Sequence, residues 1–184
     1  MSEMAGEGPR VLGSLRAADG KGTVRIEDSF PTGIDELWSA ITDPRRLAKW
    51  HAQVDGDLRP GGEFRIYVAA DDWEGSGRVQ LCEPPRRFTV MTRESDESWR
   101  KGQGEAPFDE IVEVTLKADG QATVLVIVVG GIPLDKVAFY GVGWQIHAEA
   151  LAAYLSGREP GGGEARWDEL LPAYQQLAAD IGRK

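Results

Sequence analysis

The chain has 184 residues, 41% hydrophobic and 28% charged, which suits the core of one globular domain and leaves two domains cramped. Its formal net charge of −9 argues against a nucleic-acid partner, whose phosphates Lys and Arg would have to neutralise, and leaves neutral or cationic ligands and basic protein partners open. The single Cys82 excludes an intrachain disulfide, no secretory signal is readable at the start, and the apolar run Val124 to Val129 is far below the ~20 residues that span a bilayer, so a cytoplasmic protein without membrane insertion is expected.

Residues 1–9 are small and polar and are expected to be disordered. Two alternating segments then flank Asp19-Gly20, a strong hairpin signal, and Pro31 ends the second of them. Thr32 reads as an N-cap and Glu36 stands close to the capping-box position, ahead of Leu37, Trp38 and Ile41 in a helix over about 33–42. The step Thr42-Asp43-Pro44 predicts a second short helix over 45–50, because Asp caps well and Pro suits the first helical position.

After Pro60-Gly61-Gly62 the period becomes two, with Phe64, Ile66 and Val68 on one face and Glu63, Arg65 and Tyr67 on the other. Further strands are read over 77–81, 87–92 and 110–116, the first two joined by the rigid turn Glu83-Pro84-Pro85. Residues 93–107, rich in charge and Gly, read as a long connection or an irregular hairpin end. A second Asp-Gly turn at 119–120 precedes the most apolar strand, 122–129.

From Pro133 to Gly157 the period is helical, with Val137, Tyr140, Trp144, His147 or Ala148, Leu151 and Leu155 at three- and four-residue steps. The expected division is therefore a domain over 10–157 and, over 158–184, a linker with an amphipathic tail helix packing on it. Trp167, Leu170, Tyr174, Leu177 and Ile181 share one side of that tail, a spacing that also permits a homodimer contact.

Signatures of chemistry are missing. There is no nucleophile elbow, no phosphate loop and no complete dinucleotide fingerprint, and His51, His147 and one cysteine cannot complete a tetrahedral metal site. No catalytic residue, metal or cofactor is assigned. The glycines of GVGW (141–144) lie within a helical pattern and mark a close approach to another backbone. His147 reads as a general acid or base, as a hydrogen-bonding group for a ligand, or as a satisfied, partly buried histidine. Trp38 and Trp50 are expected to fix the short helices to the sheet, Tyr140 and Trp144 to line a pocket or pack in the core. Arg93 and Glu97 read as a polar mouth or as solvated loop charges, and Cys82 as a structural thiol.

Four segments together carry a resemblance: FPTGIDELWSAITDPRRLAKW (30–50), LRPGGEF (58–64), GRVQLCEPPRRF (77–88) and GVGWQIHAEALAAYLSG (141–157). In these the chain resembles the activator-of-Hsp90-ATPase-homology (AHSA1-like) branch of the START-like, Bet v 1-type (SRPBCC) superfamily, over about Val11 to Tyr174. The resemblance implies an α+β helix-grip fold: a curved antiparallel sheet wrapped around a long C-terminal helix, with two short helices after the first strands. It also implies a cavity between sheet and helix, where members of the superfamily bind lipids, sterols, polyketides and other apolar molecules, and it transfers no shared catalytic residues. One departure is Arg93, which stands where many relatives carry Trp. A chain this short has no room for the namesake's separate Hsp90-binding domain, so chaperone activation is not inherited.

The first functional reading is a noncatalytic binding or carrier protein for a small hydrophobic ligand. Strand parity nominates Phe64, Ile66, Val79, Phe88, Val90, Val112 and Val114 as sheet-side lining, with Tyr140, Trp144 and His147 facing them from the helix and Arg93 at the mouth. The alternatives are a cyclase, dehydratase or hydrolase using His147 with Tyr140, Tyr67 or Arg93, and a protein-interaction module docking through the tail helix and acidic surface.

Overall fold

The computed structural model describes residues 8–95, 107–161 and 163–183; the expectations for residues 1–7, for Glu97 and for most of the 93–107 connection lie outside the described residues. Asp19 and Gly20 both adopt positive φ, 52° and 75°, the turn geometry that matches the twist of paired strands. Strand β1 (Gly13–Ala18) thereby folds back on β2 (Lys21–Phe30). The chain then leaves the sheet for α1 (Ile34–Thr42) and α2 (Pro44–Trp50).

Helix α2 starts as expected, with the Asp43 carboxylate accepting from the Arg45 amide at 2.9 Å and Pro44 in the first turn. Helix α1 does not. Its N-cap is Gly33, without a side-chain hydrogen bond, and the Thr32 carbonyl instead accepts from the Thr123 hydroxyl at 2.8 Å. Glu36 serves a different purpose, accepting from Arg46 Nη2 at 2.6 Å, while Arg46 also donates to Ser39 and, at 2.9 Å, to the Tyr154 hydroxyl. One guanidinium therefore ties both short helices to the far end of the long helix.

The remaining strands are β3 (Gln53–Gly56), β4 (Glu63–Val68), β5 (Trp73–Glu83), β6 (Arg87–Glu94), β7 (Asp109–Asp119) and β8 (Ala122–Pro133). All pairings are antiparallel, in the order β1-β2-β8-β7-β6-β5-β4-β3. Register slips in β2 between Gly22 and Val24 and in β5 between Val79 and Leu81 are bulges of the kind that bend a sheet. The second also resets parity, so that Cys82, opposite Phe88, falls on the concave side with Val79.

Helix α3 (Val137–Leu155) runs along the concave face after a 3-10 turn at Leu134–Lys136, and α4 (Gly163–Ile181) packs on α3 and β1. The fold is therefore α+β with a helix gripped by an eight-stranded sheet. Helix α3 is buried on two sides: Tyr140, Trp144, His147 and Leu151 face the sheet's hollow, while Gly141 and Gln145 face α4. Among the described residues no helix is long and apolar enough to cross a membrane.

Tyr174 of α4 is fully buried, with its ring in a slot where Gly13 of β1 and Gly141 of α3 leave room; a Cβ on either would collide with it. The close approach expected at GVGW is thus to a side chain rather than to a backbone. The Tyr174 hydroxyl donates to Gln145 Oε1 at 2.6 Å, the Leu12 amide donates to the same oxygen at 2.9 Å, and Gln145 Nε2 donates to the Arg10 carbonyl at 2.7 Å. Gly141→Ala is expected to lower stability by about 1–3 kcal/mol through overpacking, although Ala ordinarily gains about 1 kcal/mol over Gly in a helix. Gly143→Ala, whose Cβ would lie 3.8 Å from Trp167, should be neutral or stabilising. Urea midpoints for the two variants check this, and equal stability of both would show that the slot yields.

Candidate functional site

A cavity of about 460 Å³ lies between the concave face of the sheet and α3. Alternation along each strand decides what lines it. Phe64 and Ile66 of β4, Val79 of β5, and Phe88 and Val90 of β6 face inward. Val112 and Val114 of β7 join them on the same face, paired with Val90 and Phe88, and Tyr140, Trp144 and His147 close the space from α3. Ile66, Phe88 and Val90 are only half-buried although they sit on an inner sheet face, because they border empty space. Trp50 closes the α2 side and donates from Nε1 to the Ala40 carbonyl at 3.0 Å, while Trp38 packs edge-on to Phe88.

Arg93 does not belong to this set. It is odd-numbered on a strand whose even positions Phe88, Val90 and Thr92 face inward, so its side chain points to the outer surface and pairs with Asp109 at 3.0 Å. Tyr67 likewise faces outward, its hydroxyl 3.4 Å from Asp72. Two of the three partners considered for His147 in a catalytic role are therefore on the wrong side of the sheet.

The actual neighbours of His147 are His51 and Asp71. His51 Nδ1 lies 3.3 Å from His147 Nδ1, and His147 Nε2 lies 3.5 Å from Asp71 Oδ2 at the turn after β4. Burial, and secondarily the neighbouring His147, hold His51 well below the ordinary imidazole range, so the His51 ring is neutral at pH 7. The Nδ1–Nδ1 contact uses one N–H, supplied by either ring according to its tautomer. His51 has no periodic signal in the sequence, since it caps α2 and is buried by α3 from far along the chain.

Two polar residues that the nominated lining omitted also face the cavity. Thr92 and Glu110 are buried on adjacent strands, and the Thr92 hydroxyl donates to Glu110 Oε1 at 2.9 Å. Burial raises the Glu110 carboxyl to about 7, and nearby Glu94 adds to the rise against the lowering effect of the Thr92 hydrogen bond. The Tyr140 hydroxyl is pushed up by burial first and then by Glu110, Glu94 and Asp71. Burial also raises the Cys82 thiol, which disfavours a reactive thiolate.

A curved antiparallel sheet gripping a long helix over an apolar cavity defines a helix-grip protein. Within that class, residues 31–156 match the family model described as activator of Hsp90 ATPase homolog 1-like protein, and the chain belongs to this family. Among solved structures, it is similar to CalU16 from Micromonospora echinospora, with 27% identity over 91% of this chain and 96% of that one and a TM-score of 0.70. DynU16, from the dynemicin biosynthetic locus, shares 29% identity at a TM-score of 0.64, over 78% of this chain but 49% of its own. EF2215 from Enterococcus faecalis, a conserved protein of unknown function, shares the fold at 14% identity and a TM-score of 0.67. No curated protein matches the chain.

Proposed function

We propose that this protein binds a small hydrophobic ligand between its sheet and α3, as a noncatalytic binding or carrier protein. The observation that carries this reading is the cavity itself: about 460 Å³ of space walled mainly by aliphatic and aromatic side chains. That volume lies within the roughly 300–1,000 Å³ usual for small-molecule sites, and leaving it empty forfeits contacts that a ligand would restore. DynU16's place in a biosynthetic locus supports a small-molecule occupant.

The test uses the uncharged naphthalene fluorophore prodan. Its emission should shift to the blue on titration, saturating at one equivalent. Val90→Phe fills the cavity from a half-buried position with little strain on the sheet, and should weaken binding at least about tenfold while leaving the unfolding midpoint nearly unchanged. Equal affinity for the variant and the natural protein would place the probe elsewhere and remove this reading.

A further inference from the structure

At the Tyr140 end of the cavity, Trp73, Glu94, Phe108, Glu110 and Tyr140 enclose a recess of about 10 Å³. Trp73, Glu110 and Tyr140 also line the main cavity, so the two spaces adjoin. The recess is the size of a single water-sized group. Glu110 is 9% exposed, one of its oxygens accepts from Thr92, and the other, Oε2, is buried with no hydrogen-bond partner. An unpaired buried carboxyl oxygen is costly and calls for a donor.

The second carboxylate in the recess, Glu94, makes the local balance more negative still. Of the nearby described cations, Arg93 pairs with Asp109 on the outer face, while Lys136 Nζ sits 5.7 Å from the ring centroid of Phe108, a wall of the recess, and makes no ion pair with Glu110 or Glu94. The remaining walls are the rings of Trp73, Phe108 and Tyr140, the last two with centroids 5.7 Å apart. Aromatic faces with carboxylates are the surroundings that suit a desolvated cation.

We infer that the cavity's ligand is an apolar molecule carrying a protonated amine, with its ammonium group held in the recess between Glu110 and Glu94. This deepens the proposed function and rests on it. A carboxylate-bearing ligand of the same shape would bring further negative charge beside Glu94, and a neutral alcohol would donate only one uncharged hydrogen bond to Glu110 Oε2. Because the Glu110 carboxyl titrates near 7, pairing it with an ammonium group drives it to the ionised form and releases its proton to solvent.

Isothermal titration with decylamine, decanol and decanoate tests this, since the three share a tail and differ in the head group. At pH 7 the amine is charged, as an alkyl ammonium like that of Lys is. Decylamine should bind at least about tenfold more tightly than decanol, and decanoate most weakly. The heat of decylamine binding should vary with the ionisation enthalpy of the buffer, because a proton leaves. Glu110→Gln should abolish both the preference and the buffer dependence; if that variant does not fold, Glu94→Gln should cut the amine preference by severalfold. Decanol binding as tightly as decylamine, or an amine preference that survives both substitutions, overturns the inference and leaves the hydrophobic-ligand reading standing. Failure of all three to bind overturns both.

Discussion

Tyr174→Ala is expected to lower the unfolding free energy by about 3–5 kcal/mol, the cost of emptying a fully buried aromatic site whose glycine walls cannot collapse into the space. The ring is the contact that joins α4 to both β1 and α3, and with it goes the hydroxyl that donates to Gln145. Tyr174→Phe separates the two contributions. It keeps the ring, and Gln145 Oε1 still accepts from the Leu12 amide, so a loss of only about 1–2 kcal/mol is expected. Denaturant titration of both variants distinguishes packing from hydrogen bonding. A Tyr174→Ala protein within 1 kcal/mol of the natural one would mean that α4 contributes little to the domain's stability.

The second large effect depends on pH. Glu110 has its folded-state carboxyl raised from 4.5 to about 7, mainly by burial, so it favours the folded state fully below about pH 4.5 and that contribution is lost as the pH rises through about 7. The accumulated penalty is on the order of 3 kcal/mol above neutrality, at about 1.4 kcal/mol for each pH unit of displacement. Glu110→Gln has nothing to ionise. Relative to the natural protein it should therefore gain stability as the pH is raised from 5 to 8, by up to about 3 kcal/mol. His51 acts with the opposite sign: its folded-state ionisation is depressed, so the stability it permits is present above about 6.5 and lost as the pH falls below that. Urea titrations of the Glu110→Gln and natural proteins at both pH values isolate the carboxyl, because His51 is common to the two. A pH-independent difference between them would show that Glu110 titrates normally.

Most of the scaffold was legible because its turns and periods are local. Asp19-Gly20, Asp43-Pro44 and the alternation through Phe64, Ile66 and Val68 each specify backbone geometry with residues that touch one another in sequence. The strand β3 was missed, since four residues with one apolar member form no pattern, and their extended shape comes from pairing with β4. The site was legible where parity was applied and lost where it was not. Counting by twos from Phe88 and Val90 reaches Thr92 and Glu94, with Arg93 on the other face; counting back from Val114 and Val112 reaches Glu110. A carboxylate in step with apolar neighbours was the available signal for the buried acid. No such rule reaches His51, Asp71 or Cys82. His51 and Asp71 meet His147 only through tertiary folding, and Cys82 turns inward only because β5 carries a bulge.

The glycine slot also bears on where the domain can be cut. Residues 31–156, the part shared with the family, contain Gly141 and Gln145 but neither Gly13 nor Tyr174. A fragment trimmed to those boundaries keeps most of the cavity's walls and exposes an apolar furrow along the back of α3, with a buried-type amide left facing water. Any self-association of such a fragment would report the missing tyrosine rather than a native dimer. Helix α4, which reaches the cavity only through Trp167, is thus what covers that furrow in the intact domain.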